Sequence, residues 1–492
     1  MNALDIKNLK IQYGHQRAVC GADISLKENG IVCLLGESGS GKSSVLKAVI
    51  GLKDYRGRIT DGSIEIYGEK IVENGKRLLF PAPGKDLGLI QQNPASAFNP
   101  IRIIEKQFKE TLSSNGIAYD KDLIFEAFEK VGLSDGERIL KSCPYELSGG
   151  MCQRTAIALI MLLKPRILLC DEVTSALDKD TQKEVIASLK KCREEEGIPL
   201  FLVTHDLGFA REIADEIYVM HEGKIVEHGT TDEVLSAPKD AYTKDLISAV
   251  PKKGVCISPD RKKHDDTEVF LQIEDVSKSY SVNGKEIKAL ENISFNVKRS
   301  EIVGIIGKSG AGKSTLLRMI SGIEKPDSGK VLYNGTEVGD LPDNDRFETV
   351  KTVFQDAYAS FNPVLSVKHS ILDAMKLSDK RKGIKRRDRE RFDEMVSVGK
   401  NFGLESDLFA RRPSNLSGGQ CQRMAILRAV LTGPSLLLCD EITSALDVTA
   451  GHDAVKMISD LCDRSGMTVI FVTHDRVLAE IFCDRIISCS RE

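Results

Sequence analysis

The sequence lacks any apolar run long enough to cross a membrane. A membrane-spanning helix needs about 18 or more consecutive apolar residues, and the longest run here, 156–163, has eight. The N-terminus, MNALDIKNLK, has an acidic residue among its first five and no apolar core, so it does not resemble a signal peptide. These two absences predict a soluble intracellular chain.

Cysteine pairs and an excess of charge are also missing. None of the 12 cysteines stands in a Cys-x-x-Cys pair, which argues against a zinc site and against disulfides. The 69 basic and 72 acidic residues leave a net charge of −3, which gives no global reason to expect nucleic acid or acidic membranes as partners. Hydrophobic residues (41%) and charged residues (29%) are as frequent as in globular proteins, so we expect folded domains with buried thiols.

What the sequence does contain is an internal repeat. LLCDEVTSALD at 168–178 returns as LLCDEITSALD at 437–447, and LSGGMCQR at 147–154 returns as LSGGQCQR at 416–423. The Thr-His-Asp motif at His205 returns at His474 with the same separation of 269 residues. One separation shared by three blocks predicts two copies of one domain.

The copies predict domain boundaries. We expect one domain at 1–250 and a second at 268–492, joined by 251–267, which is rich in proline and charge and therefore reads as a linker. Residues 224–250 have no counterpart in the second half, so the second domain is expected to be shorter at its C-terminal end.

The apolar pattern predicts the fold class. Three short runs are apolar throughout, as in parallel strands covered on both faces: 31–35, 167–170 and 200–203. They alternate with helix-like stretches at 44–50 and 154–162, which predicts an α/β, doubly wound core in each copy. The alternating stretch 4–13 predicts an additional antiparallel strand at the N-terminal edge.

A glycine loop follows the first apolar run in each copy. It has the form Gly-x-x-x-x-Gly-Lys-Ser at 36–43 and again at 307–314. Glycines let backbone N–H groups converge on phosphate oxygens, and the helix behind the loop adds the positive end of its dipole. The lysine is expected to reach the β- and γ-phosphates of ATP, and the serine to hold Mg²⁺. The expected nucleotide-binding residues are Gly36, Ser38, Gly39, Gly41, Lys42, Ser43 and Ser44, with Gly307, Ser309, Gly310, Gly312, Lys313, Ser314 and Thr315.

An Asp-Glu pair ends a buried run in each copy. The carboxyl end of such a strand lies beside the glycine loop in open α/β sheets. Asp171 and Asp440 are therefore expected to contact magnesium, directly or through water, while Glu172 and Glu441 suit the base that polarises the attacking water.

With these motifs in place, the two LSGG blocks, each followed by a Gln-Arg helix, resemble the signature of the ABC (ATP-binding cassette) family. The resemblance covers nearly the whole chain. It implies two P-loop nucleotide-binding domains, each with a parallel core sheet, an antiparallel β edge and a helical subdomain. It also implies that two cassettes meet head to tail, so that the signature of one closes the ATP held by the other. The signature residues are Ser148, Gly149 and Gly150, which would close the ATP on Lys313, and Ser417, Gly418 and Gly419, which would close the ATP on Lys42.

The resemblance implies further roles, one residue at a time. Gln92 and Gln355 would contact magnesium and pass the closure of the cassettes to a partner protein. His205 and His474 would contact the γ-phosphate, and Tyr13 and Tyr280 would stack on adenine. Asp178 and Asp447 would run across the interface between the cassettes. Because both sites are complete, two competent ATPase sites are expected.

Three segments resemble one branch of the family, the ATPases of oligopeptide, dipeptide and nickel importers: 93–100, 356–363 and 236–251. The resemblance implies an ATP-hydrolysing subunit that energises import of peptides or of nickel or metal chelates. Its partners would be two integral membrane permease subunits and an external substrate-binding protein, and its place the cytoplasmic face of the cell membrane, as a peripheral subunit. The two cassettes would pair within one chain, and no nucleic acid is expected as a partner.

The alternative is a soluble tandem cassette protein that acts on ribosomes or nucleic acid. The proposed linker is about 17 residues, whereas the translation-factor branch has a long, charged, helical one. One basic cluster, 376–392, holds nine Lys and Arg residues against three acids. It is interpreted first as a solvated helix face, and second as a contact with anionic lipid or nucleic acid.

Overall fold

A computed structural model gives the fold of the chain. It describes residues 1–51, 57–92, 97–174, 179–250, 268–282, 285–307, 310–443, 446 and 448–489. The chain divides into two compact units, 1–250 and 251–492. The segment 251–267, assigned above to a linker, lies outside the described residues, as do Ser309, Asp178 and Asp447.

The first unit alternates strands and helices. Its described strands are β1 Asn2–Tyr13, β2 Gln16–Lys27, β3 Ile31–Leu35, β4 Arg58–Ile66, β5 Glu69–Glu73, β6 Lys76–Arg77, β7 Leu87–Ile90, β8 Ile167–Asp171, β9 Leu200–Thr204, β10 Glu216–His221 and β11 Lys224–Thr230. Its described helices are α1 Lys42–Ile50, α2 Ile104–Ser114, α3 Lys121–Lys130, α4 Gly136–Lys141, α5 Gly149–Leu163, α6 Lys179–Glu194, α7 Leu207–Ile213, α8 Thr231–Ser236 and α9 Ala241–Ser248.

These strands form two sheets. The larger has the order β11-β10-β3-β9-β8-β7, in which every pair is parallel except β10 with β11. The smaller is antiparallel throughout, in the order β2-β1-β4-β5-β6. The crossovers place the carboxyl ends of β3, β8 and β9 side by side, at the edge of the sheet where the glycine loop begins.

Both faces of the parallel sheet are covered. In β3, Ile31, Cys33 and Leu35 pack into the core formed with helices α2 to α7. Val32 and Leu34 pack on the other face with α1 and the antiparallel sheet. A strand with both faces buried cannot alternate apolar and polar residues, which is why IVCLL is apolar throughout.

The second unit repeats this plan. Its described strands are β12 Val269–Val282, β13 Lys285–Lys298, β14 Ile302–Ile306, β15 Ser328–Tyr333, β16 Thr336–Glu337, β17 Val350–Val353, β18 Leu436–Asp440, β19 Thr468–Thr473 and β20 Arg485–Ser488. Its described helices are α10 Lys313–Ile320, α11 Asp343–Thr349, α12 Val367–Lys382, α13 Asp388–Asn401, α14 Gly418–Val430, α15 Val448–Ser465 and α16 Arg476–Phe482. The parallel sheet has the order β17-β18-β19-β14-β20 and the antiparallel sheet the order β13-β12-β15-β16.

The fold class predicted from the sequence is confirmed. The three apolar runs are β3, β8 and β9, and the stretch 4–13 lies in β1. The antiparallel strands form a sheet of their own, and helices α2 to α4 and α12 to α13 supply the helical part of each unit. Both predicted helices begin earlier than expected, α1 at Lys42 and α5 at Gly149, because the glycines before them already adopt the first helical turn or its cap.

The cysteines of the repeat are buried thiols, as predicted. Cys152 and Cys421 lie on the signature helices, and burial raises the pKa of each thiol to about 11. Cys170 and Cys439 lie inside the parallel strands, where burial raises the pKa of each thiol still further. At neutral pH these groups stay protonated and therefore act as small apolar side chains.

The basic cluster 376–392 lies at the hairpin between α12 and α13, and more than half of it is paired. Five of its nine cations lie in ion pairs: Lys376, Arg381, Lys382, Arg386 and Arg391. Asp379 is 2% exposed and accepts hydrogen bonds from Arg386 (2.5 Å) and Arg391 (2.7 Å), which hold the pKa of its carboxyl below the ordinary value. The ion pairs of Lys376, Arg386 and Arg391 join α12 to α13, whereas Arg381 and Lys382 pair with Glu348 of α11.

Replacing Asp379 by asparagine is expected to lower the unfolding free energy of the second unit by about 3 kcal/mol, because two arginines lose the anion that compensates them in a buried place. The measurement is the midpoint of urea unfolding of the full chain. Asp393→Asn, on the exposed side of α13, is the matched control and should shift unfolding by at most about 0.5 kcal/mol. Equal midpoints for both variants would show that the ion pairs do not stabilise the hairpin.

Candidate active site

The glycine loop of the first unit joins β3 to α1. Gly41 has φ of 110°, and a Cβ there would lie 2.4 Å from the Ala18 carbonyl oxygen, so only glycine fits. Gly39 has φ of 87°, and a Cβ there would meet no protein atom within 4 Å. Lys42, which begins α1, is buried, and its Nζ donates to the carbonyl oxygens of Gly36 (2.8 Å) and Glu37 (2.7 Å). The loop thus curls around its own lysine.

The second loop has the same geometry. Gly312 has φ of 85°, and a Cβ there would lie 2.4 Å from the Ala289 carbonyl oxygen. Gly310 has φ of 79° and, like Gly39, has no protein atom within 4 Å of the place of a Cβ. Lys313 Nζ donates to the Gly307 carbonyl oxygen (2.8 Å) and lies 3.5 Å from a Glu441 carboxylate oxygen. The ammonium group therefore lies between the loop and the predicted base.

A serine and an aspartate meet at each site. Ser43 Oγ donates to Asp171 Oδ1 at 3.3 Å, and Ser314 Oγ donates to Asp440 Oδ1 at 3.5 Å. Burial raises the pKa of both aspartates, and the neighbouring glutamate of each pair raises it further. A bound cation would reverse that shift, because the ionised carboxylate would then be compensated.

The two predicted bases share an unusual backbone conformation. Glu172 has φ of 48° and Glu441 has φ of 47°, in the left-handed region that residues other than glycine seldom adopt. The peptide N–H of Glu172 donates to the Val203 carbonyl oxygen (2.8 Å), and that of Glu441 donates to the Val472 carbonyl oxygen (3.0 Å). The next strand therefore fixes the turn that carries each carboxylate, and such local strain is found most often at functional sites.

Each glutamate lies between a glutamine and a histidine. In the first unit Gln92 Nε2 donates to Glu172 Oε2 at 3.0 Å, and His205 Nδ1 lies 3.3 Å from Glu172 Oε1. In the second unit the Gln355 to Glu441 distance is 3.4 Å and the distance from His474 Nδ1 to Glu441 is 3.6 Å. The structure thus brings the predicted glutamine, base and histidine together in both units.

The charges around the Glu172 carboxylate oppose the effect of burial on its pKa. Burial alone would raise the pKa of Glu172, but the hydrogen bond and charge of His205, with the charge of Lys42, lower it below the ordinary value. Burial alone would lower the pKa of His205, but Glu172 raises it above 6.5. In the second unit the hydrogen bond to His474 lowers the pKa of Glu441 against its burial. Both carboxylates are therefore ionised at neutral pH, as a base requires.

The pH dependence of the first pair is testable. The stability contributed by the Glu172 carboxylate is present above its ordinary pKa and is lost as the pH falls through its lowered pKa. The stability contributed by protonated His205 is present below the ordinary pKa of 6.5 and is lost as the pH rises through its raised pKa. Glu172→Gln is expected to lower the pKa of His205 below 6.5, because burial is then opposed mainly by Asp206. Histidine NMR titration, assigned with His205→Gln, measures the shift. The exposed Glu126→Gln serves as control, and an unchanged titration in Glu172→Gln would contradict the coupling.

The two tyrosines lie beside the first turn of the helix that follows each loop. Tyr13, at the end of β1, has its hydroxyl 3.2 Å from Ser44 Oγ, and Tyr280, in β12, donates to Thr315 Oγ1 at 3.5 Å. Both rings are half-buried at the rim of the loop. This place is compatible with the predicted contact with adenine.

The signature serines cap the N-termini of helices α5 and α14. Ser148 Oγ accepts from Met151 N (3.3 Å) at the start of α5, and Ser417 Oγ accepts from Gln420 N (3.2 Å) at the start of α14. The two glycines that follow each serine form the first turn, where backbone N–H groups have no partner within the helix. The helix ends therefore offer N–H groups to an anion.

Sequence reasoning assigned no role to the glutamine of the Gln-Arg pair in each signature block. Gln153 is buried and donates through Nε2 to the Val173 carbonyl oxygen, directly after Glu172. Gln422 is buried and donates to the Phe354 carbonyl oxygen at 3.3 Å, directly before Gln355. The repeated Gln-Arg pair in the two signature blocks was the signal that could have found them.

The site fits ATP and magnesium. One positive-φ glycine in each loop, Gly39 or Gly310, leaves open space above the loop, where a phosphate would face backbone N–H groups and a lysine ammonium. The hydroxyl and carboxylate oxygens of each Ser–Asp pair are hard donors of the kind that Mg²⁺ prefers. The arrangement can hold a triphosphate and place a carboxylate base beside it.

A comparison with protein families decides the family of the chain. The family model described as ABC transporter matches residues 19–175 and, separately, 290–444. The chain belongs to the ABC transporter family. It is a tandem member with two cassettes, and as a member of this family it is an ATPase that binds ATP.

Curated ABC relatives match the chain over almost its whole length. The peptidoglycan transport ATP-binding protein YejF of Agrobacterium fabrum is 31% identical, over 98% of this chain and 90% of the relative. The glutathione import ATP-binding protein GsiA of Salmonella choleraesuis is 28% identical, over 99% of this chain and 84% of the relative, and GsiA of Escherichia coli K12 is 27% identical with the same coverage. The chain is therefore similar, over both of its cassettes, to ATP-binding proteins of import and transport.

Solved structures agree on the fold. The chain is similar to the structure titled RNase-L Inhibitor, with a TM-score of 0.63 and 21% identity, over 98% of this chain and 87% of that one. At this identity the likeness concerns the ABC fold alone. Within the described residues, no helix is both long and apolar enough to cross a bilayer.

Proposed function

We propose that the chain is the ATP-hydrolysing subunit of an ABC importer for peptides, including small or modified ones. The observation that carries the proposal is the match to import and transport ATP-binding proteins over almost the whole chain, together with a glutamine that contacts the proposed base in each cassette. The names of the relatives, glutathione import and peptidoglycan transport, favour a peptide-like cargo over nickel or metal chelates.

Each cassette would bind ATP with Mg²⁺. Lys42 and Lys313 would hold the β- and γ-phosphates. Ser43, Ser314, Asp171 and Asp440 would hold the cation, with Gln92 and Gln355 as further contacts. Magnesium supplies charge neutralisation of the phosphates when bound. Glu172 and Glu441 accept a proton from the attacking water, and His205 and His474 orient the γ-phosphate.

The two ATP sites would be shared between the cassettes. The signature of residues 148–150 would complete the site on Lys313, and that of residues 417–419 the site on Lys42. The helix N-termini at Ser148 and Ser417, whose N–H groups suit an anion, support this pairing. ATP would draw the cassettes together and hydrolysis would release them.

Exposed apolar residues that follow the glutamine of each cassette along the chain suit a membrane partner. Ile101 is 81% exposed and follows Asn-Pro in the first cassette, and Val364 and Leu365 are 66% and 41% exposed and follow Asn-Pro in the second. Exposed apolar side chains at equivalent places of two repeats favour a protein interface. We propose that two permease subunits dock here, that an external binding protein selects the cargo, and that the chain works at the inner face of the membrane as a peripheral subunit.

Affinity purification of the tagged chain from detergent-solubilised cells, followed by mass spectrometry, tests this function. Two polytopic membrane proteins among the retained partners are the expected result, and Ile101→Asp with Val364→Asp should release them while the ATP-binding residues stay intact. Ribosomal proteins or nucleic acid with no permease would overturn the proposal in favour of a soluble tandem ATPase.

A further inference from the structure

The first residue after Gly36 is held from outside the glycine loop. The peptide N–H of Glu37 donates to the Tyr242 hydroxyl at 3.1 Å. The carbonyl oxygen of the same residue accepts from Lys42 Nζ at 2.7 Å. Tyr242 and Lys42 therefore bind the two backbone polar groups of one loop residue, so the position of the tyrosine hydroxyl bears on the position of the lysine ammonium.

Tyr242 is itself held rigidly. Its ring stacks on His221, at the end of β10, with ring centroids 3.8 Å apart and planes at 25°. Its peptide N–H donates to Asp240 Oδ1 (2.9 Å), which begins α9. Further along α9, Thr243 and Leu246 are buried, and Leu246 belongs to the core of the first cassette. The hydroxyl thus projects from a helix anchored in the core, with little freedom to leave Glu37.

The same hairpin supports the rest of the loop. A Cβ on Gly36 would lie 2.2 Å from the Met220 carbonyl oxygen, so β10 lies directly under the loop. Gly223, in the turn from β10 to β11, donates its peptide N–H to the Ser40 carbonyl oxygen at 3.0 Å. Glu227, in β11, accepts from the peptide N–H groups of Lys239 (2.7 Å) and Asp240 (3.1 Å) and so fixes the entry to α9. The segment from β10 to α9 is a single support for the loop.

We infer that Tyr242 is a positioning residue for the ATP-binding loop of the first cassette: it fixes Glu37, and through it the lysine that meets the phosphates. The inference rests on the proposed assignment of Lys42 to ATP. It does not place Tyr242 in contact with the nucleotide. The tyrosine acts by keeping the loop in its binding conformation before ATP arrives, so its loss weakens binding rather than chemistry.

Tyr242→Phe removes the hydroxyl and keeps the ring on His221. In a full chain that also carries Lys313→Ala, where the first loop is the remaining intact one, we expect the affinity for the fluorescent analogue mant-ATP to fall by about three- to tenfold, which is the range for one hydrogen bond. In a Lys42→Ala chain the same substitution should leave the affinity within about twofold. Tyr119→Phe, which loses a hydroxyl hydrogen bond to Glu105 elsewhere in the first cassette, is the matched control.

A second readout separates positioning from a general structural role. With both lysines intact, Tyr242→Phe should raise the KM for ATP more than it lowers kcat, with the thermal midpoint close to that of Tyr119→Phe. Equal effects in the Lys313→Ala and Lys42→Ala chains, or none in either, would overturn the inference alone. If Lys42→Ala and Lys313→Ala each bind as much mant-ATP as the unmodified chain, the proposed nucleotide sites fail, and the inference fails with them.

Discussion

A chain that carries Glu172→Gln and Glu441→Gln is expected to bind ATP with nearly unchanged affinity and to hydrolyse it at least about 100-fold more slowly. The amide is isosteric with the carboxylate but cannot accept a proton, and general-base catalysis contributes roughly 10²- to 10⁴-fold. Neither substitution falls within a glycine loop, and the bonds of Lys42 to Gly36 and of Lys313 to Gly307 do not involve the glutamates, so the phosphate cradle should persist. Steady-state assays measure the rate of hydrolysis, and retention of radiolabelled ATP measures binding.

The single variants and a surface variant complete this test. Glu172→Gln and Glu441→Gln, made separately, show whether each cassette contributes a base, and Glu126→Gln on the exposed face of α3 controls for loss of one carboxylate. The double variant should also stay in an ATP-loaded, closed state that is seen as a more compact particle in small-angle scattering. Normal turnover in the double variant would show that the bases lie elsewhere.

The second large effect is expected at the glycines that leave the phosphate cradle open. Gly39→Ala with Gly310→Ala should weaken ATP binding at least tenfold, because a methyl group in the open space displaces phosphate from N–H groups whose charge-assisted hydrogen bonds are worth about 1.5–3 kcal/mol each. Isothermal titration with ATP in the presence of Mg²⁺ measures the loss. Unfolding should change far less, since among the described residues no atom beyond the immediate chain neighbours lies within 4 Å of either added carbon.

Two other glycines separate this effect from backbone strain. Gly68 and Gly335 have φ of 76° and 78°, close to those of Gly39 and Gly310, and likewise have no protein atom near the place of a Cβ. Alanine at Gly68 and Gly335 carries the same conformational cost, about 1 kcal/mol. It should leave ATP affinity unchanged. Equal losses in both pairs would mean that strain, and not the cradle, controls binding.

The parts of the structure that local pattern determines were predictable. A strand buried on both faces must be apolar throughout, so IVCLL, ILLC and LFLV indicated β3, β8 and β9 without any tertiary information. The phosphate cradle is likewise local, since eight consecutive residues supply its glycines, lysine and serine. Because each motif occurs twice in the sequence, the prediction of the first site also predicted the second.

The contacts that depend on distant parts of the chain were not predictable. The hydrogen bond between Gln92 and Glu172 depends on the pairing of β7 with β8 in the sheet. The family resemblance implied a role for each of these residues but no contact between them. Tyr242 was read as part of an importer-like tail, and nothing in its neighbours indicates a hydrogen bond to Glu37, about two hundred residues earlier. Gln153 and Gln422 hold equivalent positions yet donate to non-equivalent carbonyl groups, a difference of local packing that the shared Gln-Arg pair does not indicate.

The order of strands in the parallel sheet has a consequence for synthesis of the chain. Strand β3, which leads into the first glycine loop, pairs on its two sides with β9 and β10, through Ile31 with Leu200 and Val32 with Glu216. Contacts so far apart in sequence cannot form until the later strands have left the ribosome, and such topologies fold slowly. The nascent chain therefore carries an exposed, wholly apolar β3 for most of the translation of its first half. A chaperone that binds short apolar segments would have its longest opportunity there, before the first nucleotide site exists.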